Sequence, residues 1–110
     1  MANLLRYVVL RHVGIPEPHF DVMFESSPGS SLVTFRSADW PVLSGTPLMR
    51  LAEHRAAYLD YEGPVAGNRG DVRRVEAGQC IVTLEPDASI SVTLASGTSF
   101  RLTQDRVEFQ

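Results

Sequence analysis

Short segments of alternating apolar and polar residues, separated by turn dipeptides, run through most of this 110-residue chain. The segment SISVTL at 89–94 is typical, because Ile90, Val92 and Leu94 alternate with Ser or Thr. This period of two residues indicates a strand with one buried face. Pairs containing Gly, Pro or Asp lie between such segments, as in antiparallel hairpins. The pattern restricts the chain to a mainly antiparallel β fold.

The same criteria predict eight strands, at 6–12, 19–25, 30–36, 71–76, 79–85, 89–94, 98–103 and 106–109. One segment, 47–58, has a helical composition, with Leu48, Leu51 and Ala52 spaced for a short apolar stripe. Seven or eight short strands in a single domain spanning 1–110 predict a small closed antiparallel β-barrel with one short helix or helical turn. Closure would also remove the unpaired sheet edges.

Charge and cysteine content narrow the possible functions. The net charge is −3 and all ten basic residues are arginine, so the chain is unsuited to strong non-specific binding of nucleic acid. A local phosphate site remains open, because the planar guanidinium group matches phosphate oxygens. No apolar run approaches the roughly 18 residues of a membrane span, so we expect no membrane partner. The single cysteine, Cys80, predicts a cytoplasmic location and a buried structural thiol.

Two histidines and an aspartate lie close together in LRHVGIPEPHFDVMFE, residues 10–25. His19 and Asp21 are two apart on a predicted strand and therefore project from one face. The intervening Gly and Pro residues favour a hairpin, which would bring His12 beside His19. Two imidazoles and one carboxylate suit Mn²⁺, Fe²⁺ or Zn²⁺ and leave coordination positions open. The alternative is that all three are solvent-exposed polar residues at the mouth of a hairpin.

A second dense group of functional residue types lies in EHRAAYLDYEG, residues 53–63. His54 and Tyr58 are four apart and would share a face if this segment is helical. A histidine can bind a phosphoryl oxygen or act as a general acid, and a tyrosine hydroxyl can add a donor. Alternatively, Tyr58 and Tyr61 are core residues that precede a turn.

Together the two blocks resemble the 3'-phosphoesterase domain of bacterial DNA ligase D and its stand-alone relatives. YVVLRH…HFDVMFE is similar to the strand–loop–strand of that family, which carries two histidines and ends in His-x-Asp. EHRAAYLDYEG is similar to its acidic–His–Pro–x–x–Tyr–x–x–aromatic–Glu–Gly segment, and the agreement in order and spacing covers roughly residues 6–78.

The resemblance implies a small β-barrel that uses Mn²⁺ to remove a 3'-ribonucleotide or a 3'-phosphate from a DNA end during repair. It implies that His12, His19 and Asp21 hold the metal. It further implies that His54 contacts the scissile phosphate and that Tyr58 supports this contact. Nucleic acid 3' ends are the expected partner, together with a repair ligase or polymerase chain.

The chain departs from the family at two positions of the first block. Met23 stands where the family has an arginine two residues after the metal-binding aspartate, and Leu10 replaces a glutamine. Loss of the arginine removes a charge-assisted phosphate contact. Arg36, Arg50 and Arg55 are candidate replacements, as is the cluster of Arg69, Arg73 and Arg74, although each could simply lie on a solvated surface.

Three hypotheses therefore follow from the sequence. The first is a divalent-metal phosphoesterase acting on nucleic acid 3' ends. The second, motivated by Met23, Leu10 and the acidic net charge, is a catalytically impaired module that binds metal or nucleic acid ends. The third is esterase activity on another phosphorylated small molecule.

Overall fold

The computed structural model describes residues 3–110 and contains nine strands and one 3₁₀ turn in that range. The strands are β1 (Asn3–Val13), β2 (His19–Glu25), β3 (Leu32–Ser37), β4 (Leu48–His54), β5 (Gly63–Pro64), β6 (Asp71–Leu84), β7 (Ile90–Leu94), β8 (Ser99–Leu102) and β9 (Val107–Phe109). The 3₁₀ turn, Ala56–Leu59, lies between β4 and β5.

The strands form one antiparallel sheet in the order β4-β3-β2-β1-β6-β7-β8-β9, and the short β5 pairs with β6. The first and last strands of this series approach each other, and Arg50 on β4 donates from Nη1 to the Thr103 carbonyl at 2.5 Å. The sheet is therefore a nearly closed eight-stranded barrel, which confirms the predicted fold class.

The barrel interior is filled by the apolar residues that alternate along the strands. Val22 and Phe24 of β2 lie here with Phe35 of β3 and Phe100 of β8, all completely buried. The Phe35 and Phe100 rings are 4.8 Å apart at a tilt of 55°. Burial of these aromatic groups is the main source of stability that the strand pattern provides.

A second apolar cluster lies on the opposite face of β1 and β2. Val8, Leu10 and Met23 pack there against Val72 of β6 and Leu59 of the 3₁₀ turn. We call residues 55–70, which cover this face, the cover segment. Strands β1 and β2 are consequently buried on both faces, which explains why apolar residues occupy consecutive positions at 7–10 and at 22–24.

The cover segment is fixed to the sheet by polar contacts at several points. Arg6 on β1 forms an ion pair with Asp60 at 2.6 Å, and Arg74 on β6 lies 3.9 Å from Glu62. The backbone amide of Val65 donates to the Gly70 carbonyl at 2.8 Å, which closes the turn that leads into β6. These contacts place residues 65–70 over one end of β1.

The prediction of a helix over 47–58 is wrong. Residues 48–54 form β4, which pairs with β3, and only Ala56–Leu59 turns as a 3₁₀ helix. The composition of PLMRLAEHRAAY favours a helix. Hydrogen bonding along the free edge of β3 outweighs this weak local preference.

The predicted turn at Ala77-Gly78 is also absent, since β6 runs without interruption from Asp71 to Leu84. Gly78 lies beside the Tyr7 ring, and a Cβ atom at this position would be 3.4 Å from Tyr7 Cε1. The glycine therefore lets the Tyr7 ring lie close to the β6 backbone. In the sequence, such a glycine cannot be distinguished from one that marks a turn. Within residues 3–110, no helix has the length and apolar character needed to cross a membrane.

Candidate metal centre

The hairpin of β1 and β2 brings the first group of predicted residues together. His12 is the register partner of His19, and Leu10 is the partner of Asp21 two positions further along the sheet. All these side chains lie on the covered face, because Val22 and Phe24 occupy the interior positions of β2. The sequence-predicted hairpin therefore places His12, His19 and Asp21 in one cluster, with their ligand atoms within 4.8 Å of one another.

The carboxylate of Asp21 lies between the two imidazoles. Its Oδ2 is 3.3 Å from His12 Nδ1, and its Oδ1 is 3.1 Å from His19 Nε2. The imidazole rings are 5.0 Å apart in an edge-to-face arrangement. His19 and Asp21 are buried and His12 is half-buried, so the cluster is not the exposed hairpin mouth that the sequence left as an alternative.

Backbone carbonyls fix the tautomer of each imidazole. His19 Nδ1 is 2.8 Å from the Glu17 carbonyl, and His12 Nε2 is 2.6 Å from the Arg69 carbonyl. A carbonyl oxygen can only accept, so each of these ring nitrogens must carry the proton. In the neutral imidazoles, the opposite nitrogens, His12 Nδ1 and His19 Nε2, then present lone pairs towards Asp21.

This arrangement is electrostatically unfavourable without a positive charge at its centre. Two nitrogen lone pairs face the two oxygens of one carboxylate, and Asp21 Oδ1 is buried without a hydrogen-bond partner among the described residues. A buried carboxylate in this condition requires compensation by a proton or a cation. A divalent ion would satisfy all three donors, and carbonyl groups behind ligating imidazoles are the usual outer shell of such sites. The donor set therefore fits a metal ion.

His54 and Tyr58 lie on the same side of the sheet as His12, His19 and Asp21. We call these three residues the metal cluster, because their donor atoms could hold one ion. His54 and Tyr58 both line a pocket of about 130 Å³ that also contains His12 and Asp21. The volume is sufficient for several water molecules. His54 Nδ1 donates to the Ala52 carbonyl at 3.0 Å, which leaves Nε2 without its proton in the neutral ring.

The contact between His54 and Tyr58 does not arise from helical spacing. Arg55 is extended and links the end of β4 to the 3₁₀ turn, which begins at the next residue. This turn brings the two rings to 5.8 Å in an edge-to-face arrangement. The sequence therefore predicts the proximity of these residues correctly but gives the wrong local reason for it.

Leu10 and Met23, the two departures from the motif resemblance, are both buried. Leu10 and Met23 belong to the apolar cluster beneath the cover segment, and Met23 also forms part of the wall of the pocket. The pocket wall beside Asp21 is thus apolar at Met23.

The structure separates the three arginines that the sequence offers as phosphate ligands. Arg36 is the register partner of Asp21, but its guanidinium lies 4.0 Å from Glu17, in a different pocket beside His19. Arg50 donates to the Thr103 carbonyl, where the first and last strands of the barrel approach each other. It is not among the residues lining the His54 pocket. Arg55 lines a neighbouring pocket together with Tyr58.

The cluster at 69–74 divides in the same way. Arg73 pairs with Asp71 at 3.0 Å, and Arg74 lies near Glu62. Arg69, in contrast, lines both the pocket of His54 and the pocket of Arg55. Its carbonyl orients His12, a role that the sequence analysis did not find because no side-chain pattern marks a backbone acceptor.

Cys80 lies within the barrel interior and is 1% exposed. Burial raises the pKa of its thiol to about 11, so the reactive thiolate is disfavoured. This environment agrees with a structural thiol and not with a nucleophile.

Comparison with known proteins adds no assignment, since no protein-family model and no curated protein matches the chain.

Proposed function

We propose that the protein is a divalent-metal-dependent phosphoesterase that removes a phosphate or ribonucleotide from nucleic acid 3' ends, as the motif resemblance implies. The observation that carries this proposal is the orientation of the metal cluster. Two carbonyl-fixed imidazoles and a buried carboxylate hold three donor atoms within 4.8 Å of one another. His12 and Asp21 of this group line a pocket that also holds a histidine and a tyrosine.

His12, His19 and Asp21 hold the metal in this proposal, with Mn²⁺ as the expected ion and Zn²⁺ or Fe²⁺ as alternatives. The metal supplies a Lewis acid that polarises a phosphoryl oxygen and activates water. His54 lines the pocket, and its protonated imidazolium would donate from Nε2 to the phosphate or its leaving oxygen, because Nδ1–H is already bonded to the Ala52 carbonyl. Tyr58 packs against the His54 ring and limits its rotation. The apolar wall at Met23 lowers the local polarity and strengthens these polar contacts.

The direct experiment is incubation of the protein with Mn²⁺ and a primer–template that ends in a 3'-phosphate. We expect release of inorganic phosphate, and His19→Ala and Asp21→Asn are expected to lower both Mn²⁺ affinity and rate by at least about 100-fold. Asp105→Asn, at an exposed carboxylate of the β8–β9 turn, is the charge-matched control. Absence of phosphate release from the wild-type protein at high enzyme concentration would remove the assignment.

His54→Gln separates catalysis from metal binding. The substitution should reduce kcat by roughly 10²-fold or more, as for loss of a general acid or base, while Mn²⁺ affinity stays unchanged. A parallel loss of metal affinity would instead place His54 among the ligands.

A second candidate function is a binding module that holds metal or nucleic acid ends without turnover. The enclosed apolar side chain of Met23 favours it, because the pocket wall lacks a cation at this position. Calorimetric titration with Mn²⁺ distinguishes the two functions. Binding in the micromolar range without phosphate release supports the module, whereas the absence of Mn²⁺ binding contradicts the phosphoesterase and the metal-binding form of the module.

A further inference from the structure

A second pocket of about 240 Å³ adjoins the pocket of the metal cluster. The two share Tyr58, Val65 and Arg69 in their walls. The cover segment forms the second pocket, whose remaining wall includes Arg55, Tyr61 and Pro64. Together the two cavities reach the lower end of the roughly 300–1,000 Å³ found for small-molecule sites.

The two guanidinium groups in this pocket differ from most others in the chain. Arg6, Arg36, Arg73, Arg74 and Arg101 all lie within 4.0 Å of a carboxylate. Among the described residues, neither Arg55 nor Arg69 has an acidic partner, although Arg69 Nε donates to the Ala66 carbonyl at 2.7 Å. Two cations that share a pocket in an acidic protein favour an anionic ligand there, because guanidinium groups bind phosphate oxygens through paired donors.

Aromatic rings complete the pocket. Tyr58 and Tyr61 meet edge to face, with ring centroids 5.9 Å apart, and Tyr61 donates its hydroxyl to the Pro64 carbonyl. This hydrogen bond holds the ring in place and leaves 38% of the residue exposed. Fixed aromatic faces beside arginines are the combination on which unpaired bases stack while their backbone phosphates are neutralised.

We infer that this second pocket binds the nucleotide that precedes the reacting 3'-phosphate. Its base packs on Tyr61, and its 5'-phosphate pairs with Arg55 and Arg69. The 5'-to-3' direction of the bound nucleic acid in this inference rests on the proposed function. The second pocket contains two arginines without acidic partners among residues 3–110. Of the two pockets lined by His19, one pairs Arg36 with Glu17 and the other has a single arginine, Arg11.

The site explains how a chain with Met23 can still hold an anionic strand. The positive charge comes from the cover segment and not from β2. Arg55 follows His54 directly, and Arg69 precedes Gly70 at the close approach to β1. The backbones of both residues therefore belong to the same segment that orients His12.

The test uses fluorescence anisotropy with a short labelled single-stranded oligodeoxynucleotide ending in a 3'-hydroxyl, with and without Mn²⁺. This probe cannot be dephosphorylated, so the measurement is independent of catalysis. Arg55→Ala and Arg69→Ala should each weaken binding about 5-fold and reduce the salt dependence of binding. Arg106→Ala, which removes an exposed arginine of the β8–β9 turn outside both pockets, should have no effect. Tyr61→Ala removes the stacking ring and should weaken binding by at least about 5-fold.

Steady-state kinetics then separate this inference from the proposed function. Arg55→Ala should raise KM for a 3'-phosphorylated oligonucleotide about 5-fold and leave KM for p-nitrophenyl phosphate unchanged. Equal binding by Arg55→Ala, Arg69→Ala and Arg106→Ala would overturn the nucleotide site even if phosphate is released. Selective weakening at Arg55 and Arg69 without any phosphate release would support the site and contradict the phosphoesterase.

Discussion

The barrel interior and the covered face of β1 and β2 are both shielded from water, but they are built differently. The interior contains almost entirely apolar side chains, with Phe24, Phe35 and Phe100 at its centre. The covered face combines apolar residues with the buried carboxylate of Asp21 and the imidazole of His19. The interior therefore stabilises the fold, whereas the covered face uses part of that stability to hold polar groups in an unfavourable arrangement.

The two regions also depend on different parts of the chain. The interior closes through the pairing of neighbouring strands along the sheet, from β4 to β9. The covered face requires the cover segment, which is anchored by Arg6–Asp60 and by the turn at residues 65–70. A change in the cover segment should therefore alter the metal cluster without dismantling the barrel.

The largest expected effect is on stability, from substitution in the interior. Phe24→Ala should lower the free energy of unfolding by about 3–5 kcal/mol, because it leaves a cavity in a completely buried position. Met23→Ala, at the adjacent position on the covered face, should cost at least about 1 kcal/mol less, since the space left opens into the existing pocket. Chemical denaturation measures both. Equal losses would show that the covered face is packed as tightly as the interior.

A smaller effect is expected from Gly70, where the cover segment meets β1. Gly70 has φ +80°, and a Cβ atom here would lie 2.1 Å from the Val13 carbonyl oxygen. Gly70→Ala must therefore displace the neighbouring Arg69 carbonyl that orients His12. We expect a loss of Mn²⁺ affinity of about 10- to 100-fold, as for other outer-shell changes.

Gly97→Ala is the matched control for the glycine substitution. Gly97 has φ +94° in the β7–β8 turn, and a Cβ atom added there would meet no other part of the chain within 4 Å. This variant should lose about 1 kcal/mol of stability through backbone strain and keep its Mn²⁺ affinity. If both variants bind Mn²⁺ normally, the cover segment does not support the metal cluster.

The same contrast explains which features the sequence could predict. The interior follows a period of two residues, so strands such as β2 and β7 and the barrel class could be read directly. The hairpin that joins His12 to His19 was also readable, because Gly14, Pro16 and Pro18 interrupt two apolar runs.

The covered face could not be read in this way. Its apolar partner, Leu59, belongs to a 3₁₀ turn. The residues before this turn favour a helix, so the sequence predicted a longer helix there. The carbonyls of Glu17 and Arg69 orient the imidazoles, and a backbone acceptor has no sequence signal. The second pocket depends on the path of the cover segment, which only tertiary contacts define.

The smallest expected effect concerns the pH dependence of the interior. Burial raises the pKa of the Cys80 thiol from its usual value near 9.0 to about 11. Below pH 9 the thiol is protonated in both states, and its contribution to stability is constant. Between pH 9 and 11 only the unfolded chain releases the proton, so the free energy of unfolding should fall in this range.

Cys80→Ala removes this titration and should reduce the slope of stability against pH between 9 and 11. Burial also raises the pKa of Tyr7, but this group is present in both proteins and cancels in the comparison. Denaturant midpoints measured across this range provide the test. Identical slopes would mean that water reaches Cys80 in the folded protein. The interior would then be less completely closed than its residues imply, and the contrast with the covered face would weaken.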